Sequence, residues 1–136
     1  MKRDAGNQVT GFGFQLRWPS SNRRWYGSDA CLGGTGELKR RYPIVGDVDG
    51  LGLALRLEIC EPHDSFTPSK AIVDRMVDIG LEGDLEVDGK TYGLVLDIGG
   101  YYKNVVTLAP SLHITKHEMD LGLKLLDRVL HRVSRQ

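Results

Sequence analysis

Between Thr115 and Gln136 the chain spells out one long helix, and whatever else folds must cover it. Thr115 is followed three residues later by Glu118, the spacing at which a hydroxyl and a carboxylate satisfy each other's free amides at a helix start. The helix is therefore expected to begin near Lys116. Met119, Leu123, Leu126, Leu130 and Val133 recur at helical spacing, broadened by Leu125 and Val129, while Lys124, Asp127, Arg128 and Arg132 fall on other faces. Leu121 lies off that stripe and asks for a second surface, on a partner or on a further part of the protein. Just upstream, Val105, Val106, Leu108 and Ala109 form an apolar run ended by Pro110, which cannot continue a sheet ladder, so a buried strand leads into the helix.

The rest of the chain supplies the cover. Glu37 to Tyr42 reads as the end of a charged helix, stopped by Pro43. Leu51, Leu53, Leu55, Leu57 and Ile59 alternate with Gly52, Ala54, Arg56, Glu58 and Cys60, the period of two expected of a strand with one apolar face. Glu61 to Phe66 reads as a polar loop. Thr67 as N-cap, Pro68 at the first helical position and Gly80 as the stop bracket a helix of about three turns, its core face formed by Ile72, Val73, Met76, Val77 and Ile79. Asp84 to Val87 and Lys90 to Ile98 form a hairpin about Asp88-Gly89, a dipeptide that accepts the positive dihedrals of a two-residue turn. Gly99-Gly100 then breaks the chain before a turn over Tyr101 to Asn104. This order predicts an α+β fold, two main helices packed on a small, mostly antiparallel sheet.

Residues 1–36 show no sustained period and are expected to be mostly irregular, so the chain divides into residues 1–36 and a folded domain over 37–136. In the first part, Trp18, Trp25 and Tyr26 stand among Arg17, Arg23 and Arg24. Such residues can stack bases and hold phosphates, yet they more often cover a core edge or a dimer contact. The 18 basic residues are offset by 18 acidic ones, so no global field draws nucleic acid or an anionic membrane. Cys31 and Cys60 lack metal-ligand spacing, and no apolar run reaches signal-peptide or transmembrane length, which fits a reduced, cytoplasmic setting.

No constellation of residues specifies a reaction. His113 and His117 straddle the helix start, and Cys60 and His63 have no second ligand pair, so no metal is expected. Asp47 with Asp49, and Asp64 beside His63, read as turn carboxylates. Gly11-Phe12-Gly13 and Gly33-Gly34-Thr35-Gly36 lack the lysine of a phosphate-binding loop.

The stretch from Glu37 to Arg135 resembles the small C-terminal domain of the class III pyridoxal-phosphate-dependent aminotransferases, in the group with the diaminobutyrate and ω-amino-acid enzymes. The resemblance rests on Tyr42-Pro43-Ile44-Val45-Gly46-Asp47-Val48, Gly50-Leu51-Gly52-Leu53, Gly93-Leu94-Val95-Leu96 with Gly100, Asn104-Val105-Val106, Ala109-Pro110, Ile114-Thr115, Glu118, Asp120 and Gly122-Leu123. It implies an enzyme that passes an amine from donor to keto acid through an imine with pyridoxal phosphate. It further implies that this domain closes one side of the substrate pocket, with Gly50, Gly52, Gly100, Tyr101, Asn104 and Thr107 on the wall.

Two positions depart from the family pattern. Thr107 and Asp49 stand where many members carry arginine, which puts a carboxylate clamp from this domain in doubt. The family's cofactor lysine belongs to a large domain, and none of Lys39, Lys70, Lys90, Lys103, Lys116 or Lys124 sits in its glycine-rich setting. Thr10-Gly11-Phe12-Gly13 is similar to a turn of that large domain, with Gly6 where the cofactor aspartate stands. The expectation is thus a truncated or fragmentary relative with no catalytic residue, no bound cofactor and no catalysis of its own, a missing large domain as one partner, and a homo-oligomer, most simply a dimer. The alternative is a stand-alone homo-oligomeric module that binds a ligand or protein. Nucleic-acid binding through residues 17–26 ranks third.

Overall fold

A computed structural model describes residues 9–11, 14–16, 28–51 and 53–135. Gly52 and the aromatic and arginine residues of 17–26 lie outside the described residues, as do the readings placed on them. The chain forms an α+β fold of three helices and a mainly antiparallel sheet, the first helix ending at Arg41 just before Pro43 as the sequence pattern predicts. A short hairpin comes first, β1 (Val9–Gly11) against β2 (Phe14–Leu16). Helix α1 follows over Ser28–Arg41, beginning well inside the stretch expected to be irregular. Gly33, Gly34 and Gly36 hide this helix from a propensity reading. Burial of Thr35 and Leu38 outweighs the glycines' cost.

The main sheet has strand order β3-β4-β9-β8, with β5 also paired to β4. Strand β3 spans Val45–Leu51 and β4 Ala54–Glu61, paired antiparallel with Leu51 opposite Ala54. The single alternating strand expected from Leu51 to Cys60 is therefore β4 preceded by the end of β3. Leu51 is 89% exposed, whereas Leu55, Leu57 and Ile59 are buried. The alternation runs from one strand into the next because leucines occur in both. Close approach fixes Gly50, since a Cβ there would lie 2.4 Å from the Ala54 carbonyl oxygen.

The loop expected over Glu61–Phe66 is instead a turn and strand β5 (Asp64–Pro68), antiparallel to β4 with Cys60 opposite Pro68. That pairing displaces the helix cap. The Thr67 hydroxyl donates to Asp64 Oδ2 at 2.6 Å, and α2 runs over Lys70–Leu81 with Ser69 as N-cap. Val73, Met76 and Ile79 are buried, with Ile72 and Val77 packed beside them. Gly80 does not end the helix. It lies within it, buried, where a Cβ would meet the Leu94 carbonyl oxygen at 2.1 Å, and the positive φ that follows the helix belongs to Gly83.

The Asp88-Gly89 turn has φ values of 52° and 77°, as a two-residue hairpin requires. It joins β6 (Leu85–Val87) to β7 (Lys90–Tyr92), a shorter second strand than expected. The chain then crosses the end of α2, with the Leu94 amide donating to the Gly80 carbonyl at 2.9 Å. It enters the main sheet as β8 (Asp97–Gly99), which pairs with β9 (Val105–Leu108). Helix α3 covers Lys116–Ser134 and has both halves of the expected capping box. Every residue of its predicted stripe is buried, and Leu121 is half-buried against the same core, so it calls for no second surface. Two aspartates of α3, Asp120 and Asp127, are buried as well.

Candidate functional site

In paired antiparallel strands, residues directly opposite share a face. Val48, Leu57, Val106 and Ile98 form one row across the four strands and face the core. One residue along, Asp49, Arg56, Thr107 and Asp97 form the next row, on the other face. Asp49, Arg56 and Asp97 are exposed and Thr107 half-buried. Among the described residues Arg56 is the one basic side chain of these strands, and its Nη2 donates to Asp49 Oδ2 at 3.3 Å.

At one end of this row the sheet opens into a groove of about 330 Å³. Its walls are the segment from Leu94 to Asp97, the end of β9 through Pro110, and the first half of α3 from Glu118 to Leu126. Thr107 and Asp97 belong to both the row and the groove. The groove is otherwise mainly apolar, with Leu108, Ile114 and Met119 among its lining, and Val95 beside them is 83% exposed. Glu118 stands at the capping end. Its carboxylate accepts from the Thr115 amide and hydroxyl, both at 2.8 Å, which hold it below the usual carboxylate range.

The expected wall residues do not gather at one place. Gly50 pairs with Leu55, which pairs with Leu108, so it lies toward the groove end together with Thr107. Gly100 (φ 80°), Tyr101 and Asn104 belong to the β8–β9 turn at the opposite end. Thr107 and Asn104 lie three residues apart along one strand, about 10 Å, whereas Gly50 on β3 stands two strands away from β9. Tyr101 is 92% exposed. Asn104 is buried and clips the turn to β4: its Nδ2 donates to the Ile59 carbonyl at 3.0 Å, and its own carbonyl accepts from the Ile59 amide at 2.8 Å.

Arg56, Asp97 and the groove-lining Leu94, Val95 and Ile114 were missing from the expected wall. The alternation of Asp47 and Asp49 with apolar neighbours hinted at a polar sheet face, but only strand register places Arg56 and Asp97 beside Thr107. Among the described residues no three His, Cys, Asp or Glu side chains form a group able to hold a metal ion, and no helix is long and apolar enough to cross a membrane.

Lysine decides the fit of pyridoxal phosphate, because the cofactor needs one to hold its aldehyde. No lysine lines the groove. Lys39, Lys70 and Lys124 are paired with Asp47, Asp74 and Asp88, and Lys90 and Lys103 are exposed elsewhere. Among the described residues the groove offers no lysine to hold the cofactor's aldehyde.

No family model matches the chain. It is 32% identical over 95 residues to alanine–glyoxylate aminotransferase 2 homolog 2 of Arabidopsis thaliana, covering 67% of this chain and 17% of that protein. It is 29% identical over 101 residues to a 5-aminovalerate aminotransferase of Pseudomonas putida, covering 74% of this chain and 21% of that one. The chain thus spans about a fifth of the relatives it matches. Among solved structures, a phospholyase from Arthrobacter in complex with phosphoethanolamine superposes with a TM-score of 0.65 at 22% identity, over 76% of this chain and 22% of the other, a likeness of fold.

Proposed function

Because the chain is homologous to the class III aminotransferases over about 70% of its length, we propose that it is the part of such an enzyme that closes one side of the substrate pocket and does not itself catalyse. The observation that carries this reading is the confinement of the homology to about a fifth of the relatives. The groove without a lysine supports it, since a domain of this kind leaves the cofactor to another part of the enzyme. In this reading the apolar groove seats that other part, and the Asp49–Arg56–Thr107–Asp97 row at its mouth faces the substrate.

Charge then bears on what the wall accepts. Arg56 is flanked across the strands by Asp49, which already engages it, and by Thr107, with Asp97 one strand further on. Thr107 offers a neutral hydroxyl. The chain's own side chains there orient a substrate by hydrogen bonds and exclude water with the apolar groove wall.

A chimera tests the reading. Residues 37–135 replace the homologous fifth of the Pseudomonas putida enzyme, and Val95→Glu is made in both the chimera and the isolated chain. The isolated chain should tolerate the exposed substitution, while the chimera should lose several degrees of melting temperature and part of its cofactor absorbance. Equal tolerance in both would remove the groove from the contact with the cofactor-holding part.

A second reading, a self-associating module, draws on Phe66, Tyr101 and Leu112, which are 93%, 92% and 87% exposed. Sedimentation decides it: a monomer at all micromolar concentrations is incompatible with this module.

A further inference from the structure

We draw no further inference here: the strongest candidate, the cleft of about 420 Å³ between the C-terminal halves of α2 and α3, carries nothing, because Asp78, Glu82 and the neighbouring Asp84 balance Arg75, Arg132 and Arg135 one for one and nothing bound or buried in it points to a ligand.

Discussion

Asp127 and Asp120 lie seven residues apart on one side of α3, both buried, and their surroundings differ. Asp127 accepts from Arg41 Nη1 and from the Tyr42 hydroxyl, each at 2.8 Å, so a buried charge is matched by a cation and a second donor. Burial, with the bond to Asp127 next, pushes the Tyr42 hydroxyl well above its ordinary range, so it stays a donor at neutral pH. Tyr42→Phe should cost about 1–2 kcal/mol by removing one donor to a buried carboxylate. Urea unfolding reads this, and an unchanged midpoint would contradict it.

Asp120 has the opposite character. Among the described residues its Oδ1 is buried with no hydrogen-bond partner, and burial pushes its carboxyl up, with Lys116, Lys124 and His117 pulling the other way. A carboxyl raised in the folded state binds its proton more tightly folded than unfolded. It therefore favours folding below the ordinary aspartate range, and that contribution is lost as pH rises through the raised value. Asp120→Asn removes the dependence. The variant should gain stability over the parent from pH 4 to pH 7, reaching about 1 kcal/mol at neutral pH. A constant difference between the two stability curves across that range would refute the assignment.

At the scale of elements, the capping box and the glycines are the points where sequence dictates geometry. Thr115→Ala removes the acceptor for the Glu118 amide at 3.2 Å and should cost about 1 kcal/mol. Because Glu118 is held below its usual range, the cap's contribution is present above the ordinary glutamate value and fades as pH falls through the lowered one. Two helical glycines should respond in opposite directions. Among the described residues none lies within 4 Å of a Cβ placed on Gly122, so Gly122→Ala should stabilise by about 0.5–1 kcal/mol. Gly80→Ala drives a methyl into the Leu94 carbonyl and should destabilise by about 3 kcal/mol or more. Thermal unfolding of the pair checks both signs at once.

The elements also show what could be read in advance. The α3 stripe, its cap, the Asp88-Gly89 turn and the β9 run were legible because each is decided by residues within a few positions of one another. Of helix α1 only the end before Pro43 was legible, since the glycines of its first half oppose a helix that tertiary burial of Leu38 and Thr35 secures. The start of α2 moved for a similar reason: the Thr67 hydroxyl serves Asp64 in a strand pairing that no local pattern announces. Register is the least local property of all. Thr107 was legible as a wall candidate by resemblance, whereas Arg56 and Asp97 joined it only when β4 and β8 took their places on either side of β9.

For the molecule as a whole, one face of the sheet is filled by the helices and the other carries a polar row that leads into an apolar groove. Such a surface is suited to being one wall of a pocket completed elsewhere. Homology to about a fifth of much longer enzymes agrees with that geometry. Among the described residues Lys39, Lys70 and Lys124 are paired with carboxylates and no lysine lines the groove. The most direct measurement is an absorbance titration of the purified chain with pyridoxal phosphate, followed by borohydride reduction and mass mapping of the labelled lysines. The account predicts weak labelling scattered over several lysines and no saturable imine band. A saturable band trapped at one lysine would mean that the chain holds the cofactor by itself, and the pocket-wall account would fail.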